Sequence, residues 1–199
     1  MRFSLWSSLC VSFVMAAAAL PAQAVIEIEG VQVEESIVAN GYKLVLNGAG
    51  VRKRGYFKSD VVALYMPERK TSAEAVMKPT GARRLTLVLL RDIPSSTITR
   101  YFIGDFKTVA TDAEFKQVIN EVGQMGQIYG SMNKVSKGDV VIIDWIPGQG
   151  MLGSINGKPL TDKAWFSPLF FELYMRMYVG PSVPVDFRNA LLGVSKQGG

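Results

Sequence analysis

The sequence predicts an α+β domain, an antiparallel sheet covered on one face by a layer of helices. Three features of the 199-residue chain lead there. Strand-type runs occupy its first part, stripes of helical period occupy its middle, and a β-prone hairpin precedes a last helical stretch. A parallel α/β chain would instead alternate strand and helix throughout.

The elements follow in order. Residues 25–28 and 31–33 flank Glu29-Gly30, a hairpin turn. Residues 42–51 form a strand that runs into Gly48-Ala49-Gly50. After the basic step Arg52-Lys53-Arg54-Gly55, residues 56–66 return as its antiparallel partner, and Pro67 ends the pair. Thr71-Ser72 caps a short helix over 73–77, closed by Pro79 and Gly81. Residues 85–90 are short, continuous and apolar, as a buried strand is. Ile98, Tyr101, Phe102, Phe106 and Val109 share one helical face behind the caps Ser95 and Ser96. A second helix starts at Asp112, with the stripe Phe115, Val118, Ile119, Val122, Met125 and Tyr129. Lys137-Gly138-Asp139 turns the chain into a strand over 140–146, and Asn156-Gly157 follows the returning run 151–155. Trp165, Phe166, Leu169, Phe170, Leu173, Tyr174, Met177 and Tyr178 make a broad helical stripe stopped by Gly180-Pro181. A last short helix covers 183–192, with Pro184 in its first turn.

Residues 1–24 read as a secretory signal. Arg2 supplies the positive start, the apolar run from Leu5 to Leu20 is alanine-rich, and Pro21 breaks it. Ala22-Gln23-Ala24 then has the small-x-small pattern of a cleavage site. Cleavage after Ala24 leaves one domain over 25–199, and 199 − 24 = 175 residues can bury a substantial core. The expected location is periplasmic. Cys10 lies too early for a lipoprotein signal. No later stretch approaches the ~20 apolar residues of a membrane-spanning helix, so no span is expected after cleavage.

Composition excludes several chemistries. The chain has no histidine and a single cysteine, Cys10, inside the signal. Ser-His-Asp and Cys-His nucleophile systems are therefore excluded, as are zinc sites built on His or Cys. Carboxylates, hydroxyls, lysines and arginines remain. The net charge of +5 falls to +4 without Arg2 and is spread along the chain, which suits solubility better than nucleic-acid binding. The acids Asp139/Asp144 and Asp105/Asp112/Glu114 lack metal-ligand spacing and read as strand-edge, capping and surface groups. Gly123, Gly126 and Gly130 lack the Lys-Ser/Thr of a phosphate loop and suit close helix packing. No cofactor and no metal is expected.

Two constellations stand out. In a strand Leu44, Leu46, Gly48, Gly50 and Arg52 share one face, which is apolar, then empty, then cationic. That pattern fits a groove with a guanidinium at its end, and it equally fits a bulge followed by a solvated Arg52-Lys53-Arg54 run. A buried Arg52 needs an anion: Asp60 on the return strand, or the carboxylate or phenolate of a ligand. The stripe ending at Tyr178 reads as core, and its width leaves room for part of it to line a cavity, with Met175 and Met177 as an adaptable wall.

At these residues the chain resembles the chalcone isomerase-like family. The match lies in Leu46-Asn47-Gly48-Ala49-Gly50-Val51-Arg52 and Ala63-Leu64-Tyr65-Met66. It continues in Lys137-Gly138-Asp139, Asn156-Gly157-Lys158, and Val179-Gly180 through Ala190-Leu191-Leu192-Gly193. The resemblance implies an open-faced β-sandwich with a cleft between sheet and helices. It implies that Arg52 matches the arginine that holds an oxyanion in the family's isomerases and faces the carboxylate in its fatty-acid-binding members. Tyr65 falls at the family's tyrosine position. Asp60 stands where plant isomerases carry a threonine, Met177-Tyr178 aligns with their late threonine-methionine pair, and the catalytic tyrosine has no secure counterpart around Ser95-Ser96.

The expected ligand-binding residues are thus Arg52, Asp60, Tyr65, Met177 and Tyr178, with Arg52 the catalytic residue if the chain is an isomerase. The leading expectation is a non-catalytic binder of a fatty-acid-like or other amphipathic carboxylate. An intramolecular lyase and an envelope interaction protein without a ligand are the alternatives. The sequence sets no oligomeric state.

Overall fold

Three two-residue hairpins organise the strands. Glu29-Gly30, Asn40-Gly41 and Asn156-Gly157 each place both residues at positive φ, the backbone twist that matches paired strands. The computed structural model describes residues 24–161 and 167–194. The signal-peptide reading, Ala24 apart, lies outside the described residues, as do Trp165 and Phe166.

The elements run β1 (Val25–Ile28), β2 (Val31–Glu34), β3 (Ser36–Ala39), β4 (Tyr42–Arg54), β5 (Phe57–Met66), α1 (Ala73–Met77), β6 (Arg83–Leu89) and β7 (Ile93–Pro94). There follow α2 (Ser95–Val109), α3 (Asp112–Gln117), α4 (Ile119–Ser131), β8 (Lys134–Val135), β9 (Val140–Ile146), β10 (Gly150–Ile155), β11 (Lys158–Pro159), α5 (Pro168–Val179) and α6 (Val185–Leu191). Seven strands form one sheet in the order β11-β10-β9-β6-β5-β4-β3, every neighbouring pair antiparallel. The α+β class holds.

The two faces of this sheet are covered differently. The helices bury one face, with Val62, Leu64 and Met66 of β5 packed against Phe106, Phe170, Phe171 and Leu173. The other face carries a smaller cluster of Leu44, Leu46, Val61, Ala63 and Tyr65, partly covered by Val33, Ile28 and Val31 of the β1–β2 hairpin. On this side Arg84 donates two hydrogen bonds of 2.7 Å to Asp144, which also accepts one of 2.7 Å from Asn40. Asp144, expected as a strand-edge acid, is therefore a buried partner.

Several boundaries differ from the sequence expectation for local reasons. The strand expected to stop at residue 51 continues through the basic run to Arg54, because Arg52 and Arg54 both find carboxylate partners. The single helix expected from Asp112 is two. Thr111 caps α3 in a reciprocal capping box with Glu114, and Val118, at φ −110° and ψ 13°, separates α3 from α4. Ser167 caps α5, with Pro168 at the first helical position.

Candidate functional site

The site begins with a break in strand period. Leu46 pairs with Tyr65 but Gly48 pairs with Leu64, so Asn47 is an extra residue in β4. A bulge of one residue exchanges the faces. Leu44 and Leu46 lie on the hairpin side, whereas Gly48, Gly50 and Arg52 point to the helix side. The bulge that the glycines also allowed is present, at Asn47, so the single face expected from alternation is two half-faces, and Arg52 is paired with Asp60 rather than solvated.

Asn47 is buried and held on both sides of its amide. Its Nδ2 donates to the carbonyls of Leu191 (2.8 Å) and Lys70 (3.0 Å), and its Oδ1 accepts from the Lys70 N–H at 2.6 Å. These bonds fix the end of α6 over β4. A Cβ on Gly48 would overlap the carbonyl oxygen of Ala190 and lie 2.7 Å from that of Leu191, and one on Gly50 would lie 2.8 Å from the Ala190 Cβ. The space over the glycines is therefore filled by the protein's own helix, and the open part of the groove starts further along, at Arg52.

Arg52 reaches Asp60 through Nε–Oδ1 at 2.9 Å and Nη2–Oδ2 at 2.6 Å, a fork-to-carboxylate geometry. Asp60 is 0% exposed and Arg52 19%. The guanidinium carbon stands 5.0 Å from the centre of the Tyr178 ring. Burial works to lower the Arg52 pKa, but the charge of Asp60, with Tyr178 and the hydrogen bond to Asp60, outweighs it and holds the group well above its ordinary value. The Asp60 bonds occupy Nε and Nη2, and among the described residues Nη1 has no hydrogen-bond partner.

Arg52 and Asp60 lie at one end of a cleft between the sheet and helices α2, α4 and α5. Leu87, Leu89 and Val141 form its floor, Ile98, Phe102 and Met132 part of its roof, and Met177 a side wall. Its cavity volume is about 90 Å³. On that measure one water needs roughly 10–15 Å³, so the space takes a chain of roughly six to nine water-sized groups. Arg54 stands at the mouth, donating from both terminal nitrogens to Asp105 of α2, one of these bonds being 2.9 Å. Asp105, expected as a surface or capping acid, is thus part of a second ion pair.

Three tyrosines close the inner wall. Tyr129 and Tyr174 share a hydrogen bond of 3.2 Å, and Tyr178 donates to Tyr174 at 3.5 Å. Burial pushes the Tyr129 phenol up, with Tyr178 adding to it, and it pushes Tyr174 well up, with Tyr129 adding to it. Both phenols stay protonated near neutral pH, so they serve as hydrogen-bonding wall groups and not as bases.

Of the residues singled out in the sequence, Arg52, Asp60, Met177 and Tyr178 meet at this cleft. Tyr65 does not, which corrects its expected place among the ligand-binding residues. Val61, Ala63 and Tyr65 of β5 face the hairpin side, where Tyr65 donates to the Glu34 carbonyl at 3.0 Å and burial pushes its phenol up to about 12. Met175, expected in the cavity wall, is fully buried in the core. The sequence reading missed Arg54, Asp105, Tyr101 and Tyr129. The 3.6 period does place Tyr101 and Asp105 one turn apart on the same helix, which was the available signal.

An antiparallel sheet roofed by helices, with a cleft between the layers and an arginine on the sheet at its mouth, defines the class. A family model described as chalcone isomerase-like matches residues 24–193, and the chain belongs to that family. Among solved structures it is similar to the crystal structure of a fatty-acid binding protein of Arabidopsis thaliana (AtFAP1). The TM-score is 0.67, the identity 12%, and the match covers 86% of this chain and 97% of the other. No curated protein matches the sequence.

Proposed function

We propose that this chain is a non-catalytic binder of a slim, single-chain amphipath of the fatty-acid type, with the apolar tail in the cleft between sheet and helices. The observation that carries this reading is the cleft itself: narrow, lined mainly by aliphatic and aromatic side chains, and built with its charges already paired. A chain of methylenes fits such a slot, and each buried CH₂ contributes ~0.8 kcal/mol before entropic costs. Two aryl rings joined by an enone need a broader space. The structural likeness to a fatty-acid binding protein agrees with this reading.

The intramolecular lyase alternative fits less well. Asp60 already takes the fork of Arg52 that would hold a phenolate, and a second anion there would meet its repulsion. The wall tyrosines Tyr129 and Tyr174 are held protonated. We further propose that residues 1–24 direct export to the periplasm, on the strength of the charged start, apolar run and small-x-small site. A mature chain beginning at Val25 in the periplasmic fraction is the expected result, and a full-length chain kept in the cytoplasm would contradict it.

Binding is tested by calorimetric titration of the purified, delipidated protein with decanoate and, separately, with decanol. Saturable binding heat for both ligands is expected. A flat titration would remove the carrier reading.

A further inference from the structure

A second concavity adjoins the mouth of the cleft, and its charges differ from those at Arg52. This vestibule has a volume of about 280 Å³ and shares Arg54, Ser59, Ile93 and Tyr101 with the cleft, so the two adjoin at these side chains. Its remaining wall includes Phe57, Arg91, Asp92 and Arg100. Arg54 is neutralised by Asp105. Asp92 is engaged by Lys134 Nζ at 3.0 Å and by the Lys137 N–H at 2.9 Å. Among the described residues, Arg91 and Arg100 have no carboxylate within ion-pair distance. Two uncompensated guanidinium groups therefore face one hollow.

Both are held by aromatic faces. Arg91 lies 4.1 Å above the ring of Phe57, which is 60% exposed, and Arg100 lies 5.7 Å from the centre of the Tyr101 ring. Stacking orients the planar donor forks while leaving their N–H groups available, and such forks match carboxylate and phosphate oxygens. Arg52 is the opposite case, with its charge cancelled by a carboxylate wholly removed from water.

We propose that the Arg91–Arg100 vestibule is an oxyanion-binding subsite that reads the head group, carboxylate or phosphate ester, of the amphipath whose tail fills the cleft. The inference rests on the carrier reading above and adds polarity to it. The head sits at the vestibule end, and Arg52 with Asp60 forms a neutral wall for the tail.

The test is calorimetric titration at low ionic strength of the wild type and the Arg91→Gln/Arg100→Gln variant. The ligands are decanol, decanoate and decyl phosphate, with inorganic phosphate as a further arm. Both arginines are exposed, so the variant is expected to keep the wild-type melting temperature. Each exposed charge pair is expected to contribute roughly threefold in affinity, so the two anions should bind about tenfold tighter than decanol. The preference should vanish in the variant and at ~1 M salt, while decanol binding stays unchanged. Inorganic phosphate should compete only weakly, since it has no tail. Equal affinity for all three decyl ligands, an unaltered preference in the variant, or inorganic phosphate binding as tightly as decyl phosphate would overturn the subsite. Failure of decanol itself to bind would overturn the carrier reading and the subsite with it.

Discussion

Arg52 and Asp60 stand directly opposite one another on β4 and β5, joined by hydrogen bonds of 2.9 and 2.6 Å, with the carboxylate fully buried and the guanidinium resting on Tyr178. The pair places a neutral, rigid unit where a lone cation would otherwise dominate the cleft. Its energetics give the first prediction. Arg52→Met leaves Asp60 buried without a partner and is expected to destabilise the fold by about 3 kcal/mol, at the low end of the range for buried pairs because Arg52 is partly exposed. The double substitution Arg52→Met/Asp60→Leu removes the uncompensated charge and should cost less than the single one. Urea unfolding of the two variants checks this, and a double variant weaker than Arg52→Met would speak against it.

The close approach of α6 to β4 gives the second. Gly48→Ala pushes a methyl group into the backbone carbonyls of Ala190 and Leu191, so α6 has to move. Overpacking against backbone is expected to cost about 3 kcal/mol or more, whereas Gly50→Ala meets the Ala190 methyl group and should cost roughly 1–2 kcal/mol. Thermal melts of both variants give the ranking.

Acid sensitivity gives the third. The hydrogen bond from Arg176, then that from the Thr111 N–H, hold the Glu114 carboxyl below its ordinary value of 4.5. A depressed folded pKa means stabilisation that is fully present above about pH 4.5 and lost as pH falls through the folded value. Stability should therefore decline on acidification below pH 4.5, and Glu114→Gln should flatten that part of the decline. Urea midpoints of the wild type and variant from pH 3 to pH 7 measure the slope. Parallel curves would deny Glu114 this role.

Cleft size gives the fourth. With room for roughly six to nine methylene-sized groups, affinity for straight-chain acids should rise by up to about fourfold per carbon to a chain that fills it, and then level off. Met132→Trp, which places an indole in the roof, should lower affinity for the long acids more than for the short ones. A linear rise through tetradecanoate would mean that the tail lies elsewhere.

The architecture could be read from local signals, since Glu29-Gly30, Asn156-Gly157, Thr71-Ser72 and Pro184 each mark a boundary with its own stereochemistry. Asn40-Gly41 is an equally readable turn, but β3 before it is four residues long with one buried, too short to stand out. The site was readable only in part. Gly48 and Gly50 allow a bulge but do not locate it, so alternation alone leaves Leu46 and Gly48 on one face. Tyr65, expected at the site from the family resemblance, is turned to the hairpin side by its register opposite Leu46. Asn47 itself looks like any surface amide until its partners Lys70 and Leu191, remote in sequence, are brought to it. Arg91 lies in the loop after β6 and Arg100 on α2, and only the folded chain makes them neighbours of one vestibule.

Whether a tail lies between the sheet and the helix layer is decided by NMR chemical-shift mapping of residues 25–199 titrated with decanoate. The expected result is a set of saturable shifts at Leu87, Ile98, Val141 and Met177, with Val61, Ala63 and Tyr65 on the opposite face of the same sheet unmoved. Shifts confined to the Tyr65 face, or none at saturating decanoate, would contradict the account.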